Sequence, residues 1–266
     1  MDILIHTLSG TTTAAFISTM SSFSKKGKFA LILLGAFAGA FPDIDAISLW
    51  SKFDQTIGSW LHLSHTGSQI YFGKFWYSHH GYFHSILAAA IFSLGLVSLY
   101  KLLFKKEIWS TYFHSRECMF ILAISFFSYL SHLIGDLPTP GAVWGGIRLF
   151  FPFEIYVGGY GTTWWWNNYD VFLTLLTTTS ALSLFILLED KFIKSDLIKA
   201  AAFMYIMGIS LSTYYVTNHS ISFAYVGNTS RYAYYERISY ADQSGRLGKS
   251  VFRLMYKVDK MLPFYF

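Results

Sequence analysis

Six stretches of the chain are apolar for nearly long enough to cross a bilayer: roughly Ile3 to Met20, Phe29 to Ile47, Ser85 to Phe104, Cys118 to Leu137, Tyr169 to Leu188 and Leu197 to Val216. A spanning helix needs about 20 apolar residues to traverse a hydrocarbon core about 30 Å thick. The second stretch is interrupted by Pro42 and the acids Asp43 and Asp45, so its far end is predicted to leave the spanning helix. Five or six spans are therefore expected, in an all-α, polytopic membrane bundle. Residues 218–266 lose the apolar runs and gain Tyr, Ser, Arg and Asp, which predicts a small extramembrane tail after a membrane-embedded unit of residues 1–217.

Composition agrees with a membrane setting: 53% of the 266 residues are hydrophobic, 20% are aromatic, only 13% are charged, and the mean hydropathy is +0.40. Asp2 precedes the first apolar run without any Lys or Arg, unlike the basic start of a cleaved signal peptide, so the first span is expected to be retained. Cys118 is the only cysteine, which excludes an intramolecular disulfide and a cysteine-rich zinc site. Any metal must use histidine and carboxylate ligands.

The net charge of +5 comes from basic residues flanking the spans, and no nucleic-acid partner is expected from it. One face of a six-span arrangement collects Lys25, Lys26, Lys28, Lys101, Lys105, Lys106, Arg116, Lys191, Lys194 and Lys199, against Lys52, Lys74 and Arg148 on the other. The positive-inside rule makes the first face cytoplasmic and turns loops 43–83 and 138–168 outward, although the tail carries seven further basic residues. Tryptophan gathers in the outward loops at Trp50, Trp60, Trp76, Trp144 and Trp164 to Trp166, and is read first as an interfacial belt.

Ionisable residues inside apolar spans are costly and usually face the protein interior or a watery cavity. Here they converge. His6 lies at the outward end of the first span, Asp43 and Asp45 at that of the second, His79, His80 and His84 open the third, and His132 and Asp136 close the fourth. His132 and Asp136 are i and i+4 on a helix, so both leave one face about a turn apart. Asp43 and Asp45 are expected in an extended Asp-Ile-Asp that aims both carboxylates the same way, and Gly81 in a loop-to-helix junction with His84 in the first turn. Seven candidate ligands, His6, Asp43, Asp45, His79, His84, His132 and Asp136, exceed what one zinc ion uses and suit two ions. Three Asp against two divalent ions leave the site positive, which favours an anionic phosphoester. Taken singly, His6 also reads as an interfacial histidine, Asp45 as a helix cap, and His132 with Asp136 as a hydrogen-bonded pair. His62, His65, His114 and His219 read as solvated or interfacial, and Ser85 as a cap.

The motifs "MDILIHTLSG", "FPDIDAI", "SHHGYFHS" and "LSHLIGDLPTPGAVWGGIRLFFPF" together resemble a bacterial family of inner-membrane, metal-dependent hydrolases described as LexA-regulated or LexA-binding. Order and spacing match over about residues 1–153. The resemblance implies metal ligation by the same seven residues, with Thr139, Gly141 and Pro152 as flanking elements. This chain departs from the family pattern at Ile5 and Phe83, where Thr is usual, and at His80, where Arg is usual. If that Arg holds a substrate phosphate in relatives, His80 must do so more weakly or become a ligand itself.

The function expected is a membrane hydrolase acting on a phosphoester presented by the bilayer, a phospholipid or polyprenyl phosphate, with the site facing outward from the inner membrane. Zinc suits the ligands first, with manganese or iron as alternatives. His80 or Arg148 would stabilise charge on the phosphoryl oxygens. A metal- or proton-coupled transporter and a purely structural membrane protein are the competing readings. Substrate and oligomeric state stay open.

Overall fold

The structure is a computed structural model that describes residues 2–105, 108–219, 221–224 and 232–261. Each predicted span is a helix: α1 Ile3–Met20, α2 Lys25–Ala40, α3 Ile86–Phe104, α4 Arg116–Asp136, α5 Tyr169–Leu187 and α6 Lys194–Thr217. Five segments, Lys25–Leu49 and α3 to α6, are long and apolar enough to cross a membrane. Leu33 on α2 and Leu102 on α3 are 71% and 66% exposed, which suits side chains turned toward lipid.

Threonine and serine set α1 apart from those five. It compensates by being central, packing against α2, α4, α5 and α6. Its hydroxyls are satisfied one turn back, as where Thr12 donates to the Leu8 carbonyl at 2.7 Å. They also tie α1 to its neighbours, with Thr12 2.6 Å from Thr179, Ser9 3.0 Å from Ser131 and Thr13 3.2 Å from Tyr205. The closest approach is to α2, where Gly10 and Ala14 meet Gly35 and Gly39: a Cβ on Gly35 would fall 2.2 Å from that of Ala14.

At one end of the bundle Lys25 and the buried Lys28 pair with Asp190 and Glu189. Arg116 and Lys194 begin helices at this same end. Lys106 lies outside the described residues. A reporter fused within residues 108–114 is expected to sit in the cytoplasm and one within 62–70 outside. Both on one side would contradict the orientation drawn from the basic residues.

The opposite end carries the two long loops. Among the described residues extended pairing is confined to isolated bridges, Ile147 with Val157 and Pro140 with Tyr160, inside the second loop. Trp144 and Trp164 of these loops are buried and structural, so the belt reading fits Trp50, Trp60 and Trp76, which are exposed. The polar tail contains a helix, α7 Tyr232–Met261, kinked at Gly248. It docks on the start of α5: Tyr169 donates to Asp259 at 2.7 Å and Gln243 to Asp170 at 3.0 Å. The Glu236 carboxylate accepts from the indoles of Trp164 and Trp166 at 2.7 Å each.

Candidate metal centre

After α2 the chain does not extend. Phe41–Leu49 winds as 3-10 turns from Pro42, which corrects the expected extended Asp-Ile-Asp. Pro suits the start of a helix, and three residues per turn turn Asp45 well away from Asp43. The two acids therefore reach the same histidines from different sides. Asp43 faces His84 and His132 at 3.5 and 3.6 Å, whereas Asp45 meets His79 at 2.7 Å.

The segment 78–85 is a sequence of tight turns. His80 takes a left-handed backbone with φ of 63°, a conformation that costs a non-glycine residue about 1–2 kcal/mol and is common where a site dictates side-chain direction. His84 ends the turn Tyr82–His84, one residue before α3 rather than inside it. Ser85 accepts from the Ala88 amide at 3.1 Å and donates to the Tyr82 carbonyl at 2.6 Å, so it caps α3 and has no free nucleophilic role. In α4, His132 and Asp136 approach to 3.1 Å, and Thr139 donates to the Asp136 carbonyl at 2.7 Å.

These three segments meet the start of α1, which brings His6. Ligand-type atoms group within 4.8 Å as His6, His132 and Asp136; as Asp43, His84 and His132; as Asp43, Asp45 and His79; and as His79, His80 and His84. The groups share members and form one continuous cluster. His84 sits at its middle, with Nε2 3.3 Å from His132 Nε2 and 3.5 Å from both Asp43 and Asp136. His6 Nε2 lies 3.0 Å from Asp136, and the His6 ring stacks on His132 at 3.7 Å. Asp43 is the least buried of the eight, its side chain 15% exposed, and marks where the cluster opens.

The hydrogen-bonding partners decide which ring nitrogens carry protons. His132 Nδ1 lies 2.8 Å from the Gly39 carbonyl and His80 Nδ1 3.0 Å from the Gly146 carbonyl. A carbonyl only accepts, so each Nδ1 is a donor, and in the neutral ring Nε2 is left as a lone pair. For His132 that lone pair faces His84 and Asp136. His79 donates from Nδ1 to Asp45 in the same way. Such outer anchors are how metal-binding histidines are oriented. Burial, with His79 and His84 alongside, holds the His80 imidazole well below its ordinary range, so it is neutral.

Two tests of fit can be made. Atoms bound to one ion at about 2.1 Å sit roughly 3.0 to 3.4 Å apart, close to the cluster's spacings. Buried polar atoms without partners are rare and call for an ion or water, and Asp45 Oδ2 and His84 Nδ1 are two such atoms, 3.6 Å apart. The residues present thus fit divalent metal. Asp45, hydrogen-bonded to His79, is placed to orient that imidazole while its other oxygen stays free to ligate. Asp45→Asn is expected to weaken metal affinity by about 10- to 100-fold without abolishing binding, as titration with a zinc indicator would read.

Around the cluster, Tyr71 stacks on His79 at 4.4 Å and Trp144 packs on His80 at 4.5 Å, with its indole donating to the Tyr71 carbonyl at 2.9 Å. Arg148 is not available in the way its charge suggested. It is buried, and its guanidinium donates to the carbonyls of Phe153 and Pro152 at 2.9 Å each, bracing its own loop. His219, expected to be solvated, pairs instead with Asp242 at 2.8 Å between α6 and α7. His65 and His114 stand apart from the cluster, bonded to Ser64 and Tyr77 and to the Ser110 carbonyl. The anchoring carbonyls of Gly39 and Gly146 had no sequence signal.

No curated protein and no solved structure matches the chain. The family model described as YdjM inner membrane protein matches residues 1–221, which takes in all six bundle helices and the whole cluster and stops short of α7. The chain belongs to the YdjM inner membrane protein family.

Proposed function

We propose that the chain is a membrane-bound, metal-dependent hydrolase that cleaves a phosphoester of a lipid or lipid-linked substrate at the His/Asp cluster. The observation that carries this reading is the meeting of five imidazoles and three carboxylates from four segments, with His80 and His132 each donating from Nδ1 to a backbone carbonyl outside the cluster and His79 to Asp45 within it. The motif resemblance supports the same chemistry, and the donor set suits zinc before manganese or iron.

Divalent ions held there would supply water activation at neutral pH and neutralise charge on a phosphoryl group. His6, His132 and Asp136 would hold one ion, and Asp43, Asp45 and His79, with His84 beside them, would supply ligands for a second. His80, neutral and with Nδ1 committed to Gly146, offers an acceptor at Nε2 rather than a positive charge. That suits a ligand or a proton acceptor better than a phosphate clamp. Tyr71 and Trp144 wall the cluster, and the exposed Trp50, Trp60 and Trp76 suit a rim set among lipid headgroups. A substrate delivered by the bilayer would enter past Asp43, the most open of the eight.

The test is phosphate release from phosphatidic acid and from a polyprenyl phosphate by purified protein supplied with zinc. Release is expected from at least one of them, falling by about 100-fold or more in Asp136→Asn. No cleavage of any lipid phosphoester, or cleavage indifferent to a chelator, would contradict the proposal.

A further inference from the structure

Outside the proposed hydrolase site, the side of the bundle carries a groove whose mouth lies at the end away from the cluster. It runs between α4 and α6, floored by α1, with a volume of about 860 Å³. Its length is lined by Phe16, Ile17, Met119, Phe120, Phe127 and Ile134. Met119, Phe127 and Ile134 are each more than half exposed. From Arg116 to Ile134 it follows α4 for about 27 Å at 1.5 Å per residue, close to the ~30 Å of a hydrocarbon core. The hydroxyls along its length are already satisfied, Thr13 by Tyr205 at 3.2 Å and Ser131 by the Ser128 carbonyl at 2.7 Å, while Ser22 lies at the basic mouth. An occupant therefore meets a surface that behaves as hydrocarbon along the groove.

Its far end is different. Arg116 and Lys194 line it and are the first residues of α4 and α6. Among the described residues no ion pair occupies either side chain: Glu117, beside Arg116, is engaged by Lys105 and Tyr100, and Lys194 reaches only the Ser21 carbonyl at 3.4 Å. Ile193 gives α6 no side-chain cap. The N-terminus of α4 is already capped by Ser115, so it is the two cations that face one another across the mouth of an apolar track. The seam between α1 and α4, closed by Ser9 with Ser131 and by His6 with Asp136, separates this groove from the His/Asp cluster.

We propose that the groove binds one anionic phospholipid, its phosphate between Arg116 and Lys194 and its acyl chains along Met119, Phe127 and Ile134. The two cations, without ion pairs among the described residues, favour an anionic headgroup over a zwitterionic one. The orientation expected from the basic residues sets this mouth in the cytoplasmic leaflet, whereas the cluster opens at the other.

Native mass spectrometry of the full chain, incubated in detergent with dioleoyl phosphatidylglycerol or dioleoyl phosphatidylcholine, tests this. Wild type should retain one phosphatidylglycerol under activation that strips phosphatidylcholine. The Arg116→Gln, Lys194→Gln double variant should lose that preference by about tenfold or more, while Lys199→Gln, a cation not lining the groove, keeps it. Ala123→Trp, which fills the middle of the groove, should lower retention of both lipids, with metal content and elution volume unchanged to show that the fold persists. Equal retention of the two lipids by wild type, a preference surviving the double variant, or retention unchanged in Ala123→Trp would overturn the proposal. So would a dimer that Ala123→Trp dissociates without altering lipid retention, since a second copy would then be the occupant.

Discussion

Replacing Gly35 with leucine should force α1 away from α2 and cost the chain most of its folded population. A Cβ at this position would lie 2.2 Å from Ala14 Cβ and 2.8 Å from the Gly10 carbonyl oxygen, and backbone cannot yield as a side-chain tip can. Overpacking by a single methyl commonly costs about 1–3 kcal/mol, so an isobutyl group here should exceed about 3 kcal/mol of a total stability near 5–15 kcal/mol. The damage should also reach the metal centre. Gly39, on the same face of α2, gives its carbonyl to His132 and sits against the backbone of His6. Gly35→Ala, if it folds, should therefore bind metal less tightly although it alters no ligand. Gly95→Ala is the control, because a Cβ there meets nothing within 4 Å. Thermal unfolding followed by size-exclusion elution would show it, and unchanged melting of Gly35→Leu would refute the close-packed crossing.

The second large effect is expected at Asp136. One of its oxygens lies 3.0 Å from His6 and the other 3.1 Å from His132, so it ties α1 to α4 through the cluster. Asn keeps its size and removes its charge. Bound metal per chain should fall by about 10-fold or more while membrane insertion stays intact, because ligand loss acts on binding and the spans insert through their apolar surface. His79→Ala, at the other side of the cluster, should do the same. If Asp136 is only a hydrogen-bonded partner of His132, the substitution would leave metal unchanged and cost about 1–3 kcal/mol of stability. Unchanged metal in both variants would remove the support for a hydrolase.

The helices were legible because apolar runs long enough to span a bilayer have few other stable solutions. The convergence of His6, Asp43, Asp45, His79, His84, His132 and Asp136 followed from topology, since alternating spans bring their ends to a common level. What was hidden depends on backbone and on distant partners. His80 reaches the cluster through a left-handed backbone that a non-glycine residue seldom adopts, and nothing in its neighbours announces this. The carbonyls of Gly39 and Gly146 set two ring tautomers, yet every residue has a carbonyl. Asp43 and Asp45 do act together, both facing His79 and His84, but from 3-10 turns and not from the extended backbone expected. Arg148 looked like a phosphate ligand by charge, but its loop folds back and takes up its Nε and Nη2 donors at the Phe153 and Pro152 carbonyls. Trp164 and Trp166 resembled a headgroup belt until Glu236, some seventy residues away, supplied their acceptor.

Elemental analysis of the wild-type chain, purified without a histidine tag and dialysed against buffer containing zinc, bears most directly on the cluster as a metal centre. The geometry predicts about two equivalents of divalent metal per chain, and at least one, lost together with thermal stability on chelation. A folded protein that takes up no zinc, manganese or iron, and melts at the same temperature with or without chelator, would contradict it.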